Sequence, residues 1–186
     1  GDVGLLTGVG QVNEDLPSRL SVERILLTEF RSYRDLTLKV GPDHVVLTGQ
    51  NGAGKTNLLE ALSLLAPGRG LREARLTDLR RRSFDTPTWA VAAELCTARG
   101  SLQIGTGSSS RSEGTREVRV QGVPASSQGG LARELHVIWL TPRMDRIFTD
   151  SLGGRRRCFD RLVVGFDPSH STRLGAYQRL LGERAR

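Results

Sequence analysis

The chain has 186 residues and a formal net charge of +7, from 27 Lys and Arg against 20 Asp and Glu. Hydrophobic residues make up 37% of it, which is enough for a packed core and excludes a disordered chain. Apolar runs fall short of the roughly 18 residues that a membrane helix needs, and no signal peptide is evident at the start. We therefore expect a soluble, cytoplasmic protein of one domain, or of one and part of a second.

The cysteines, basic residues and histidines limit the kinds of site to expect. Two cysteines make no disulfide framework, and we expect Cys96 in the core because it follows apolar neighbours. Only two of the 27 basic residues are lysines, Lys39 and Lys55. The planar guanidinium of arginine fits phosphate or carboxylate groups. The composition therefore favours a polyanionic partner but does not identify which one. No metal-ligand spacing accompanies the three histidines, His44, His136 and His170.

The first third of the chain predicts strands around a Gly-rich loop. Residues 1–20 lack any period, and we expect a poorly ordered lead-in. Strand patterns follow at 24–28 and 36–40, and the apolar run 44–48 predicts a buried strand. A helix over 55–66 comes next. Its predicted apolar face consists of Leu58, Leu59, Leu62 and Leu65.

The middle of the chain predicts a β-hairpin. Residues 71–83 fit either a short helix or a loop. Strand patterns follow at 89–95 and 101–105, and a Gly/Ser-rich tip over 107–114 leads to an alternating strand at 116–120.

The last part of the chain predicts a change to helix. We expect a short helix over 131–135, a buried strand over 137–140 and helical structure from 144 onward. The final helical pattern, 174–186, ends without a cap, as a truncated chain would.

One motif carries chemistry. It fits the pattern G-x-x-x-x-G-K-[ST] and consists of Gly49, Gln50, Asn51, Gly52, Ala53, Gly54, Lys55 and Thr56. Backbone N–H groups of such a loop wrap phosphates, and the helix that follows points its positive end at them. Lys55 should neutralise the β- and γ-phosphates, and the Thr56 hydroxyl should bind Mg²⁺. The flanking strand and amphipathic helix are the context that this motif requires.

Four stretches, in order, resemble motifs of the RecF family of DNA replication and repair proteins. They are L-T-E-F-R-S-Y at 27–33, G-Q-N-G-A-G-K-T-N-L-L-E-A at 49–61, L-L-A-P-G-R-G at 64–70, and the block from Pro142 to Asp160 with its run of three arginines at 155–157. The likeness covers about 24–184. The chain departs from the family at Arg143 and Met144, where acidic residues are usual, and at Cys158, Phe159 and Ala185.

The resemblance implies the N-terminal half of an ABC/SMC-like ATPase head, an α/β P-loop NTPase fold. Lobe I with an antiparallel subdomain would span 21–143, and 144–186 would begin a helical lobe II. Family members are about twice as long. They carry a Walker B strand and a signature loop that this sequence lacks, so we expect this segment to bind nucleotide without hydrolysing it.

The resemblance also implies a function. RecF proteins are weak DNA-stimulated ATPases that bind ATP and Mg²⁺ and dimerise with ATP. They bind DNA at single-strand gaps and, with RecO and RecR, support RecA loading in repair, recombination and the SOS response.

Several other residues are candidates for the site. Arg31 could contact the nucleotide or lie at the surface, and Tyr33 could pack near adenine or under the sheet. We expect Asn57 to serve the helix start and Glu60 to form a helix-surface ion pair. Two arginine runs could contact DNA phosphates or be solvated faces: Arg80, Arg81 and Arg82, and Arg155, Arg156 and Arg157. The second run could instead support an interface between the two lobes or between two heads.

Three alternatives stay open. Another SMC-type head, Rad50-like or OLD-type, would keep the fold, but the 130 residues after Thr56 contain no sustained heptads. A P-loop kinase would need a lid and an acceptor site, which the sequence does not indicate. A fragment without independent activity is the third.

Overall fold

The computed structural model describes residues 4–7, 20–82, 88–108, 115–125, 131, 134–142, 152–167 and 169–184. Within these residues the strands are β1 (Gly4–Thr7), β2 (Ser21–Phe30), β3 (Tyr33–Lys39), β4 (Val45–Thr48), β5 (Ala90–Thr97), β6 (Gly100–Ser108), β7 (Arg116–Val120) and β8 (Val123–Pro124). The helices are α1 (Lys55–Ser63), α2 (Leu76–Leu79), α3 (Leu152–Phe166) and α4 (Ser169–Arg184).

Six strands form one antiparallel sheet in the order β3-β2-β5-β6-β7-β8. The early pair predicted before the Gly-rich loop is confirmed as β2 and β3, joined by a tight turn at Arg31 and Ser32. The predicted hairpin is confirmed as β6 and β7, whose Ile104 lies opposite Val120. Residues 109–114, most of the predicted Gly/Ser tip, lie outside the described residues.

Strict alternation along β5 decides which side chains reach the core. Val91, Ala93 and Leu95 are buried, whereas Cys96 is exposed. The prediction of a core Cys96 was therefore wrong, because a strand turns successive side chains to opposite faces and Leu95 occupies the inner position.

The core lies between the inner face of this sheet and α1. Leu58, Ala61, Leu64 and Leu65 from the helix and its end are buried against Ile25, Leu27, Val91, Ile104 and Val118 from the strands. Phe30 packs edge-on against Trp89, with ring centroids 5.7 Å apart. This packing fixes the position of α1 on the sheet, and with it the position of the Gly-rich loop that precedes the helix.

β4 confirms the strand predicted over 44–48 but not its predicted burial. It pairs antiparallel with β1, in the segment where we expected no regular structure, and Val46 is 53% exposed. Residues of β4, the β2–β3 pair and α1 line a cavity of about 300 Å³. Leu59 borders this cavity and is half exposed, so it does not join Leu58 in the core.

The helical structure predicted from 144 onward is confirmed where the structure describes it, in α3 and α4, and residues 144–151 lie outside the described residues. α3 and α4 contact each other through His170 Nε2 and Asp160 Oδ1, 3.0 Å apart. The segment 137–140 is not a strand, and Leu140 is 85% exposed, because a short apolar run alone does not secure a place in a sheet. Among the described residues, no helix has both the length and the apolar character needed to cross a membrane.

Candidate phosphate-binding site

The Gly-rich loop connects β4 to α1 and has the shape of a phosphate cradle. Its glycines take left-handed or related conformations, with φ of 139° at Gly49, 86° at Gly52 and 103° at Gly54. The Lys55 ammonium lies inside the loop and donates to the carbonyl oxygens of Gly49 (2.6 Å) and Gln50 (2.7 Å). The sequence motif therefore folds into one compact turn around its own lysine.

The donors of this loop suit phosphate oxygens. Helix α1 begins at Lys55, so its first backbone N–H groups and the positive end of its dipole face the loop. Thr56 is exposed at this end of the helix, where its hydroxyl could bind a phosphate-bound Mg²⁺. An ATP or GTP triphosphate with its metal fits this set of donors.

The β2–β3 turn forms one wall of the loop. A Cβ atom placed on Gly54 would lie 2.5 Å from Tyr33 Oη and 3.1 Å from Ser32 Oγ. Among the described residues Tyr33 Oη is buried without a hydrogen-bond partner, and burial raises the pKa of this phenol. Tyr33 thus packs against the phosphate loop.

A buried carboxylate ties this turn to α1. Glu60, 1% exposed, accepts from Arg31 Nε (2.9 Å) and Arg31 Nη2 (2.7 Å), a two-pronged contact. Arg72 Nη1 donates to the same carboxylate at 3.0 Å. Glu60 is therefore not the helix-surface residue that we predicted, because its two arginine partners come from segments outside the helix and cover it.

Asn57 links the same network to the first turn of α1. Its Nδ2 donates to Ser32 Oγ (2.9 Å), and its Oδ1 accepts from Arg72 Nη1 (2.8 Å). We refer to Arg31, Ser32, Asn57, Glu60 and Arg72 as the turn-helix network. It lies directly beside the phosphate loop and holds the β2–β3 turn against α1.

The backbone beside Arg31 is strained and held by a second segment. Glu29 and Arg31 have φ of 47° and 53°, which non-glycine residues rarely adopt. Arg31 N donates to Leu79 O at 2.8 Å, and Arg81 N donates to Glu29 O at 2.6 Å. Arg31 Nη1 also donates to the carbonyl of Asp78. Protein groups therefore occupy the guanidinium of Arg31, and its contact with nucleotide stays a prediction.

Sequence reasoning found the loop and missed this network. Asn57 and Glu60 stand three residues apart on α1, a spacing that places them on one helix face and could have signalled a polar contact. Their partners Ser32 and Arg72 come from separate segments, and no local pattern identifies them.

The two arginine runs differ in their surroundings. Arg80 and Arg82 are exposed, while Arg81 Nη1 lies 3.5 Å from a Glu29 carboxylate oxygen. In the second run Arg155 is exposed. Arg156 stacks on the Tyr177 ring, 4.7 Å from its centroid, and its pKa is raised by a hydrogen bond to Tyr177. The Arg157 side chain lies outside the described residues. Within the described residues, no cluster of three or more His, Cys, Asp or Glu could hold a metal.

Replacing Gly54 with alanine should distort the loop. The added Cβ would need both an unfavourable positive φ and the space filled by Tyr33 Oη. We expect Gly54→Ala to lower the free energy of unfolding, measured by urea denaturation, by more than the roughly 1–2 kcal/mol typical of a left-handed position.

Gly68→Ala is the matched control, because Gly68 has φ of 102° but a Cβ added to it would meet nothing within 4 Å. Gly54→Ala should be the more destabilising of the two. Equal losses would mean that the contact with Tyr33 contributes nothing.

Comparison with known proteins places this site in a family. The AAA domain model matches residues 24–118, about half of the chain. The DNA replication and repair protein RecF of Brucella suis biovar 1 is 43% identical over 93% of this chain and 45% of its own length. RecF of Rhizobium rhizogenes is 44% identical over 92% of this chain and 46% of its own. The chain thus spans about half the length of these curated relatives.

Solved structures agree on the fold. A structure described as the recombination mediator protein RecF-ATP in the RecFOR pathway superposes with a TM-score of 0.76 at 24% identity, over 93% of this chain and 46% of its own. A second, RecF-ATPrS, gives 0.76 at 23% identity, over 89% and 44%. The predicted fold of an ATPase head lobe is confirmed. The chain belongs to the AAA domain family, and within it corresponds to the N-terminal half of RecF.

Proposed function

We propose that this chain is the ATP-binding N-terminal half of a RecF-like recombination mediator. The observation that carries the proposal is the preformed phosphate loop, with the Lys55 ammonium held inside it by two loop carbonyls. Sequence identity of 43% to a RecF protein supports the assignment, as does the likeness to a RecF-ATP structure.

The nucleotide would bind at the Walker A loop. Gly49, Gln50, Asn51, Gly52, Ala53, Gly54 and Lys55 would surround the phosphates, and Thr56 would bind Mg²⁺ through its hydroxyl. Arg31, which lies beside this loop, would also contact the nucleotide. In this proposal lobe I covers 21–143 after a lead-in of 1–20, and 144–186 begins lobe II.

Hydrolysis would need more than this segment. The sequence has no apolar strand ending in two acidic residues and no S-G-G-Q signature. The parent protein would be a weak, DNA-stimulated ATPase that dimerises with ATP, whereas this segment would bind ATP without turnover.

Removing the Lys55 ammonium should weaken nucleotide binding strongly. We expect Lys55→Ala to weaken binding of labelled ATP with Mg²⁺ by about a hundredfold, because charge-assisted contacts to phosphate are worth roughly 1.5–3 kcal/mol each. Fluorescence titration measures the affinity, and phosphate release measures turnover, which should be absent in both proteins.

Lys39→Ala is the matched control. Lys39, the other lysine of the chain, is exposed on β3, so its loss should leave ATP affinity unchanged. Equal binding by Lys55→Ala and the unaltered chain would contradict the proposed site. Sustained turnover by this chain alone would contradict the half-head interpretation and favour a compact P-loop enzyme.

The proposed macromolecular substrate is gapped DNA, with RecO and RecR as partners in loading RecA in the cytoplasm.

Of the two arginine runs, the first is the better candidate for a contact with DNA phosphates. Arg80 and Arg82 are exposed, whereas Arg156 stacks on the Tyr177 ring and forms an ion pair with Asp160. Arg34 on β3 is 77% exposed, pairs with Glu29 and adds positive charge to this surface.

Salt dependence tests this surface. The double variant Arg80→Ala/Arg82→Ala should bind gapped DNA more weakly, and the slope of log affinity against log salt should fall by about one per lost contact. The control, Arg179→Ala/Arg184→Ala, removes the same charge from exposed positions on α4. Identical slopes for the two double variants would contradict a DNA contact at Arg80 and Arg82.

A further inference from the structure

The C-terminal end of α1 is held by an arginine from a distant strand. Arg116, the first residue of β7, donates from Nη1 to the carbonyl oxygen of Gly68 at 2.6 Å and from Nη2 to that of Ala66 at 3.2 Å. The same Nη2 donates to the carbonyl of Leu64, the residue that caps α1. Its Nε donates to Thr106 Oγ1 at 2.7 Å.

This contact places a cation at the negative end of the helix dipole. The last carbonyl groups of α1 accept from the backbone N–H groups of Leu64, Leu65 and Ala66, and Arg116 binds the carbonyls of the turn that follows. α1 has no basic residue in its own last turn. Arg116 therefore places the positive charge at this end, and its planar fork reaches three carbonyls that a single ammonium could not span.

The guanidinium is largely shielded from solvent. Burial lowers the pKa of Arg116 to about 10, so the group remains charged at neutral pH. Thr106 also fixes its own side chain by donating to the carbonyl of Glu117 at 2.8 Å. Arg116 is thus a positioned cation.

The turn over 64–70, whose carbonyls Arg116 binds, is tightly packed against the end of α1. A Cβ on Gly70 would lie 2.8 Å from Leu64 Cδ2, and Leu71 N donates to Ser63 Oγ at 2.7 Å. The segment after α1 therefore folds tightly back on the helix end. A shift of this turn would move the helix with it.

α1 connects this grip to the phosphate loop. Its nine residues form a rod of about 13 Å, and its other end carries Lys55 and Thr56. We propose that Arg116 is a positioning residue for the phosphate loop: from the antiparallel sheet it fixes the far end of α1 and so sets where the loop presents its N–H groups. This inference rests on the proposed nucleotide binding by that loop.

Two variants of Arg116 test the inference in the 186-residue chain. Arg116→Met keeps the apolar stem and removes every donor, while Arg116→Lys keeps the charge and one donor group. At a temperature where circular dichroism shows full folding, we expect Arg116→Met to weaken binding of labelled ATP with Mg²⁺ about tenfold. Arg116→Lys should recover part of the loss.

Amide resonances provide a readout that stability alone would not change. In ¹⁵N-labelled protein without nucleotide, the resonances of Gly52, Gly54 and Thr56 should shift in Arg116→Met, although they lie at the opposite end of α1. Arg119→Met is the control on the same strand, because Arg119 is 59% exposed and lies 3.9 Å from Glu117. It should leave both affinity and these resonances unchanged.

The outcomes separate this inference from the proposed function. Unchanged ATP affinity and unmoved loop resonances in Arg116→Met would overturn it. If the unaltered chain fails to bind ATP, the proposed function fails, and the loop resonances still decide whether Arg116 positions the loop. If Arg116→Met does not fold, Thr106→Val removes one acceptor of Arg116, and it should shift the same resonances in the same direction by a smaller amount; no shift would overturn the inference.

Discussion

The arrangement of this molecule depends on the buried carboxylate of Glu60. A buried charge without a partner costs several kcal/mol, so the fold must bring cations to it. The cations come from Arg31, which follows β2, and from Arg72, which lies in the segment after α1. One carboxylate therefore gathers three separate segments at a point beside the phosphate loop.

The position of the β2–β3 turn follows from this pairing. With Arg31 held by Glu60, Ser32 meets Asn57 and Tyr33 lies against Gly54. The turn then leaves no space for a side chain at Gly54. At the other end of α1, the helix is fixed to the sheet by Arg116. The phosphate loop is thus pre-formed because the helix that follows it is held at both ends, and pre-formed donors bind a ligand without a cost of ordering.

Local patterns were sufficient for the loop and most of the sheet. The Gly-rich motif identified the loop, because each of its residue types has a local role. Strand patterns identified β2, β3 and the β6–β7 hairpin, with clear alternation in β3 and β7. Patterns failed where the neighbours decide the outcome. Cys96 stands one position away from the buried side of β5, and 137–140 is apolar without entering the sheet. Glu60 resembles an exposed helix residue until its arginine partners, 29 and 12 residues away, are known.

A double-mutant cycle on Arg31 and Glu60 tests the central claim most directly. The free energy of unfolding would be measured by urea denaturation for Arg31→Met, Glu60→Gln, the double variant and the unaltered chain. A pair that anchors the turn predicts a coupling energy of about 2–3 kcal/mol, with the double variant less destabilised than the two single losses combined. Losses that add to within about 0.5 kcal/mol would contradict the claim.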